Sequence, residues 1–274
     1  MDLRAKKKWG QNFLIDRNIQ NSIVEEANIN SDTLVIEIGP GQGAITSLLV
    51  DTSATLLAYE IDPDLSKILN GRYQGNPNVK IIQGDFLTQD VEKDIESLNK
   101  TFKTIKVVAN LPYYITTPII TKLMLELSSI DELIIMVQYE VALRLTAQVK
   151  DSDYSALSVI TQYYSVPTFL FKVPPTSFKP QPKVDSAVIK LKKRNDRLVM
   201  KENEHNWIEF IRHSFQQPRK TLVNNLSKGY GKDKDSIVEI LTTIHLSTTV
   251  RADSLSIEKL TEIFDIFYHK MIRN

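Results

Sequence analysis

Cysteine is absent from all 274 residues, which excludes a disulfide framework and a metal site built from thiolates. Long apolar runs are absent as well: the longest aliphatic run, residues 133–137, is far shorter than the ~20 residues that a membrane-spanning helix needs. The basic start of the chain, with Arg4 and residues 6–8, leads into residues 9–12 (WGQN) instead of the apolar stretch of a secretory signal. These absences predict a cytoplasmic protein with no membrane span and no bound metal.

Excess charge of one sign is also missing, because the formal net charge is only +1. That balance hides an asymmetry: residues 1–169 carry 15 basic and 21 acidic side chains, whereas residues 170–274 carry 19 and 12. Seven of the basic residues fall within 172–194, where Asp185 is the single acid. This segment and the basic amino terminus are therefore candidate contacts for a polyanion. The alternative is a solvated, lysine-rich surface.

Short apolar runs alternate with helical patterns through much of the chain. Strands are predicted at 33–38, 55–59, 79–83, 106–109, 132–138, 169–173 and 186–191, and helices at 16–28, 44–50, 64–69 and 140–148. The alternation predicts an α/β fold with a mostly parallel sheet, in which ligands bind at the carboxyl ends of the strands. The last two strands predict an antiparallel edge.

Beyond residue 194 the pattern becomes helical, with helices predicted at 207–215, 222–226, 236–244 and 256–268. We therefore place a domain boundary there. The prediction is a larger domain over 1–194, which contains every strand, and a small helical domain over 195–274. No apolar interface pattern stands out, so a monomer is expected.

A glycine-rich turn follows the first long predicted strand. Gly39, Gly41 and Gly43 let the backbone turn sharply and approach a ligand closely, with helix amides just beyond. Glu60 ends the next strand, where a carboxylate can accept both hydroxyls of a ribose. A tight packing turn is the alternative for the glycines, and the spacing alone leaves open a nicotinamide cofactor or S-adenosylmethionine.

Asp85 follows the third strand of the same sheet and precedes Phe86. An acid at this place can accept from an adenine amino group while the ring packs on apolar neighbours. The alternative is that Asp85 caps the amino terminus of a helix. The first interpretation favours an adenosine-containing cofactor.

The sequence Asn110-Leu111-Pro112-Tyr113 ends the fourth strand. An exocyclic amine on a purine is a poor nucleophile, because its lone pair is delocalised into the ring. The Asn110 amide oxygen and the Leu111 carbonyl can accept its two N–H groups and so favour a pyramidal nitrogen. Tyr113 can stack on the base. This pattern predicts methyl transfer to the amino group of a base, against the alternative of a plain turn.

These motifs, taken in order, resemble the bacterial small-subunit rRNA adenine dimethyltransferases over nearly the full chain. The matching stretches are residues 10–14, 37–43, 84–86, 110–118, 136–138 with 140–142 and Arg144, 178–186 (FKPQPKVDS), 218–222 with 224–226, and 251–252. The resemblance implies a class I S-adenosylmethionine-dependent methyltransferase fold, Rossmann-like with seven strands, and a small helical carboxyl-terminal domain. It further implies dimethylation at N6 of two adjacent adenosines in the 3′-terminal hairpin loop of 16S rRNA.

The resemblance also assigns roles to residues of this chain. It implies cofactor contacts at Asn12, Leu14, Gly39, Glu60, Asp85 and Asn110, with Gln11 and Gly41 close by. The catalytic motif is Asn110, Leu111 and Tyr113, and Phe178 is the aromatic expected on the other face of the target base. For Phe178 the alternative is a buried anchor among prolines. Arg219 and Lys220, on a short helix, are candidate RNA contacts. Arg144 is a candidate phosphate contact, with an ion pair to Glu140 as the alternative.

Two stretches depart from the family pattern: residues 150–155 lack an expected Pro-Gly and a glycine after the tyrosine, and Tyr139 replaces a usual basic residue. Three other functions remain open. One is a 23S rRNA adenine methyltransferase that confers macrolide resistance, and another is an RNA-binding relative without catalysis. The third, a nicotinamide dehydrogenase, lacks a histidine at a strand end near the glycine turn.

Overall fold

The computed structural model describes residues 6, 9–196, 199 and 201–272. The basic residues Arg4, Lys7 and Lys8 lie outside the described residues. The chain forms two compact units, one of Met1–Ala142 with Pro167–Lys193 and the other of Leu143–Val166 with Arg194–Asn274. The sequence-based boundary at 194 coincides with the start of the last segment, but residues 143–166 also belong to the second unit.

Strands of the described chain form two sheets. Their bounds are β1 (Phe13–Leu14), β2 (Thr33–Ile38), β3 (Thr55–Glu60), β4 (Val79–Gln83), β5 (Thr104–Asn110), β6 (Glu132–Gln138), β7 (Ser165–Val173), β8 (Phe178–Lys179) and β9 (Ser186–Lys193). The larger sheet has seven strands in the order β4-β3-β2-β5-β6-β9-β7. Its pairings from β4 to β6 are parallel, whereas β9 runs antiparallel to β6. The predicted mostly parallel sheet with an antiparallel edge is confirmed.

Helices connect the strands and make up most of the second unit. Their bounds are α1 (Arg17–Ala27), α2 (Ala44–Asp51), α3 (Pro63–Arg72), α4 (Val91–Glu96), α5 (Thr116–Leu125), α6 (Tyr139–Thr146), α7 (Ala156–Tyr164), α8 (Glu204–Ser214), α9 (Leu222–Tyr230), α10 (Lys234–Thr243) and α11 (Ile257–Phe267). Among the described helices, none has the length and apolar content that crossing a membrane would require.

The core of the first unit lies against the larger sheet. All six residues of β2 are buried, as expected for a central strand covered on both faces. Alternate residues such as Val35 of β2 and Val108 of β5 share one face, where they pack with Ile23 of α1 and Leu49 of α2. This packing fixes the carboxyl ends of β2, β3 and β5 side by side at one edge of the sheet.

Aromatic side chains form the core of the second unit. The Trp207 ring of α8 lies 4.3 Å from the Tyr163 ring of α7, and its indole N–H donates to the Thr261 hydroxyl of α11 at 3.1 Å. Trp207 is fully buried, as are Phe210 and Phe267. Because Tyr163 is part of this cluster, α7 packs with the carboxyl-terminal helices. The sequence-based boundary at 194 left α7 in the first domain and so did not predict this packing.

Candidate active site

A cleft opens where the sequence motifs of the first unit meet, at the carboxyl ends of β2, β3 and β5. It is lined by residues 9–14, Glu37, residues 39–42, Ala44, Ile45, Glu60, Ile61 and residues 110–113. Asn12, Leu14, Gly39, Glu60, Asn110, Leu111 and Tyr113, which the sequence predicted as site residues, therefore lie together. Asp85 and Phe178 are not part of this lining.

The glycine turn follows β2 directly and is tied to β3. The Gly39 N–H donates to the Tyr59 carbonyl at 2.9 Å, and the Gly41 N–H donates to the Glu60 carboxylate at 2.8 Å. Both glycines have positive φ, +69° and +60°. A Cβ at Gly41 would lie 3.2 Å from the Phe13 ring, whereas a Cβ at Gly39 would meet nothing within 4 Å. Gly39 thus leaves open space beside the backbone of the turn.

Two buried carboxylates lie beneath this turn. Glu60 accepts from the Gly41 and Asp62 backbone N–H groups, both at 2.8 Å, and burial raises its pKa although these hydrogen bonds lower it. Burial raises the pKa of Glu37 to about 8, against the hydrogen bond that the Thr46 hydroxyl donates at 2.7 Å. Each oxygen of Glu60 can accept a second hydrogen bond. The cleft therefore offers a pre-positioned acceptor pair at the end of β3.

The loop after β5 holds the polar groups of the Asn-Leu-Pro-Tyr motif. The Asn110 Nδ2 donates to the Asn12 carbonyl at 3.2 Å, and the Leu111 N–H donates to the Met136 carbonyl at 3.1 Å. Among the described residues, the Asn110 Oδ1 accepts no hydrogen bond. Because Nδ2 is engaged, the amide is oriented with its oxygen available as an acceptor.

Tyr113 is held by a residue that the sequence analysis left without a role. Its hydroxyl lies 2.6 Å from the hydroxyl of Ser186, the buried first residue of β9. Burial raises the Tyr113 pKa, so the phenol stays protonated near neutral pH. Ser186 is the last residue of the FKPQPKVDS stretch, and its place in that stretch was the only feature of the sequence that indicated a role for it.

Asp85 and Phe178 occupy the positions that their alternative interpretations describe. The Asp85 carboxylate caps the 3-10 helix Phe86–Thr88 by accepting from the Leu87 N–H at 3.0 Å. Phe178 is only 4% exposed and packs in the core, paired with Leu14 between β8 and β1. Their assignment to the cofactor and to the target base stays a prediction.

The basic residues of the segment 172–194 are divided between the two edges of the larger sheet. Lys172 and Lys190 pair with Asp185 and Glu26, at 2.7 and 2.9 Å. Lys192 lies opposite Glu132, at the amino end of β6 and thus at the far edge of the sheet from the cleft. The register therefore removes Lys192 from a nucleic-acid path beside the cleft, whereas Lys179 pairs with Phe13 of the cleft lining.

Two solved structures share this architecture across nearly the whole chain. A dimethyladenosine transferase from Plasmodium falciparum superimposes with a TM-score of 0.79 at 25% identity, covering 94% of this chain and 98% of that one. The 23S rRNA methyltransferase ErmE superimposes with a TM-score of 0.70 at 28% identity, covering 93% and 98%. Together with the parallel sheet and the glycine turn, they define a class I methyltransferase.

Sequence comparison narrows the class to a family. The chain matches the family described as ribosomal RNA adenine dimethylase over residues 2–269. Relatives named Ribosomal RNA small subunit methyltransferase A include those of Bacillus pumilus, 45% identical over 264 residues (95% of this chain, 90% of the relative), and Leuconostoc mesenteroides, 41% identical over 265 residues (96% and 90%). The chain belongs to the ribosomal RNA adenine dimethylase family. It is an rRNA adenine dimethyltransferase, and S-adenosylmethionine is its methyl donor.

The cleft fits such a donor on two structural grounds. The open space at Gly39 leaves room for a ligand against the backbone, and the buried Glu60 carboxylate faces no lysine or arginine among its hydrogen-bond partners in the described chain. A carboxylate with spare acceptor capacity suits the hydroxyls of a ribose. These observations favour the cofactor contacts at Gly39 and Glu60 that the sequence predicted.

Gly39→Ala should weaken cofactor binding by about tenfold, equivalent to about 1.4 kcal/mol, because its methyl group would enter the space left for the ligand. Gly75→Ala is the matched control, since Gly75 also has a positive φ (+83°) and open space but lies outside the cleft. Both changes should cost about 1–2 kcal/mol of backbone strain. Calorimetric titration with S-adenosylhomocysteine separates them, and equal affinity of the two variants would contradict the assignment.

Proposed function

We propose that this enzyme transfers methyl groups to N6 of two adjacent adenosines in the 3′-terminal hairpin loop of 16S rRNA, during maturation of the small ribosomal subunit in the cytoplasm. The observation that carries the chemistry is the Asn110 amide, whose Nδ2 is engaged by the Asn12 carbonyl at 3.2 Å while Oδ1 is left as an acceptor. The small-subunit target is supported by the names of relatives that are 40–45% identical over nearly the full chain.

The proposed mechanism rests on positioning of the target amine. Asn110 Oδ1 and the Leu111 carbonyl accept its two N–H groups, which favours a pyramidal nitrogen with its lone pair directed at the methyl carbon. Bound S-adenosylmethionine supplies that methyl group as an electrophile. Tyr113, its hydroxyl fixed on Ser186, presents a ring on which an unstacked adenine can rest. No covalent bond to the enzyme is needed.

We assign the cofactor to Asn12, Leu14, Gly39, Glu60, Asp85 and Asn110. All except Asp85 line the cleft, and Asp85 lies at the end of β4, one strand beyond Glu60. An adenine packed beyond the ribose site would bring its amino group toward that strand. Phe178 is assigned to the other face of the target base, and its buried position pairs with Leu14 of the cleft lining.

The second unit is proposed to recognise RNA. Arg219 and Lys220 are both exposed, in the turn between α8 and α9 instead of on the short helix that the sequence predicted. Exposed basic residues at a turn can approach phosphates without losing intramolecular ion pairs. We propose that the enzyme acts as a monomer on the small subunit or its precursor.

The alternative target is 23S rRNA, favoured by the similarity to the ErmE structure. In their resemblance to the two families, Thr117, Pro118 and residues 218–220 and 251–252 fit the small-subunit enzymes better than the resistance enzymes. We expect methyl transfer from labelled S-adenosylmethionine to unmethylated small subunits, mapped to two adjacent adenosines, and none to protein-free 23S rRNA. Labelling of 23S rRNA instead would move the protein to the resistance enzymes, and labelling of neither would favour a binding role.

A further inference from the structure

One segment of the first unit contacts both the glycine turn and the end of β5 with the loop that follows it. We call residues 9–14 the strap. Its Phe13 ring lies against Gly41, and a Cβ at its Gly10 would lie 3.2 Å from the Tyr114 ring. Its last two residues form β1, which pairs with β8. The strap therefore forms one wall of the cleft and contacts the glycine turn there.

The strap is fastened at one buried carboxylate, Asp62, just after β3. The Asp62 Oδ2 accepts from the Gln11 Nε2 at 3.2 Å, and its Oδ1 accepts from the Lys6 Nζ at 2.8 Å. The Lys6 backbone N–H donates to the Gln11 Oε1 at 2.8 Å, so Lys6, Gln11 and Asp62 are all joined by hydrogen bonds. The Asp62 side chain is only 2% exposed. Although burial disfavours its charge, these donors together lower the Asp62 pKa, so it is a carboxylate at neutral pH.

The residue next to Gln11 connects this fastening to the catalytic amide. Asn12 presents its backbone carbonyl to the Asn110 Nδ2 at 3.2 Å. That carbonyl is the acceptor that decides which way the Asn110 amide is turned, because a flipped amide would place Oδ1 against it. One peptide unit thus separates the Asp62 contact from the contact that orients Asn110.

We propose that Asp62 is a positioning residue for methyl transfer: by holding Gln11, it places the Asn12 carbonyl that orients the Asn110 amide toward the target amine. The inference rests on the proposed catalytic use of Asn110. Asp62 touches neither substrate in this role and acts through the strap. Its loss would leave the glycine turn and Glu60 in place and disturb the amide geometry, to which methyl transfer is sensitive.

Asp62→Asn separates this role from a merely structural one. Asp62 is also the N-cap of α3, where it accepts from the Asp64 N–H at 3.0 Å, and asparagine caps helices as well as aspartate does. The new amide group would instead face the Gln11 amide, donor against donor. A flip of the Gln11 amide would remove this clash between two donors, but it would break the hydrogen bond that Gln11 Oε1 accepts from the Lys6 N–H.

A paired exchange supplies the rescue. Gln11→Glu alone would place two carboxylates against each other and should also free the strap. When Gln11→Glu is combined with Asp62→Asn, the carboxylate introduced on the strap would accept from both the new amide and the Lys6 N–H. The hydrogen bond between positions 11 and 62 is then restored, with residue 62 as the donor and residue 11 as the acceptor. Asp90→Asn, the same change at the exposed N-cap of α4, is the matched control.

Single-turnover methylation of unmethylated small subunits and hydrogen exchange of the strap in the free enzyme test the inference. Each single variant should lower the methyl-transfer rate by about tenfold to 100-fold and speed exchange at 9–14, the double variant should recover most of both, and Asp90→Asn should match the wild type. Asp62→Asn with the wild-type rate, or a double variant no better than the singles, would overturn the inference.

The Asn110→Ala variant keeps the two proposals apart. If it methylates normally, the proposed catalytic role of Asn110 fails; if it is inactive while Asp62→Asn is fully active, only the positioning role fails. Should the wild type leave small subunits unmethylated, the proposed target fails, and the exchange measurement still decides whether Asp62 holds the strap.

Discussion

Replacing Asn110 by alanine should lower the rate of methyl transfer by about 10²–10³-fold, the cost of removing one preorganised hydrogen-bonding group from a transition state. The change removes the Oδ1 acceptor for the target amine, and it also leaves the Asn12 carbonyl without the donor that it now has at 3.2 Å. The first loss acts on the reacting nitrogen directly. The second loosens the wall of the cleft beside it.

Binding measurements show whether this loss is catalytic. RNA affinity of Asn110→Ala should stay close to that of the wild type, because the motif makes the amine reactive without holding most of the RNA. Asn70→Ala is a suitable control, since its amide is engaged within α3 by the Ser66 carbonyl at 3.0 Å. Parallel loss of RNA binding and methyl transfer in Asn110→Ala would show that the residue is structural.

Much of the larger sheet could be predicted because its strands are short apolar runs, and the central ones, such as β2, are buried on both faces. The bounds predicted for β2, β4 and β6 agree with the structure, since each is a short aliphatic run with clear ends. The two-residue strands β1 and β8 could not be predicted, because no periodicity exists over such a length. Helix α5 was missed because Thr116, Thr117 and Pro118 at its start are typical of a turn.

The candidate site was predictable for a topological reason. Gly39, Glu60 and Asn110 each end a strand, and the carboxyl ends of parallel strands meet at one edge. The contacts of Asp62 with Gln11 and Lys6 are tertiary, across more than fifty residues, and carry no local signal. Lys192 shows the converse: its charge was visible, but its place at the far edge follows from the direction of β9.

Truncation of Trp207 to alanine should cost the second unit about 3–5 kcal/mol of its free energy of unfolding. The ring is fully buried against Tyr163 at 4.3 Å, and its removal would also leave the Thr261 hydroxyl without the indole N–H. Urea unfolding followed by circular dichroism measures this cost. Trp207→Phe keeps most of the ring and loses the hydrogen bond, so its cost should be smaller, about 1–3 kcal/mol.

The functional consequence of Trp207→Ala tests the proposed division of labour. The cleft, from the strap to Tyr113, belongs entirely to the first unit, whereas Trp207 and its aromatic neighbours belong to the second. We therefore expect RNA binding to fall sharply while the Kd for S-adenosylhomocysteine stays within a factor of about two, below ~0.5 kcal/mol. Cofactor affinity that falls together with RNA affinity would mean that the two units do not fold independently, and the helical unit could then no longer be assigned to RNA recognition alone.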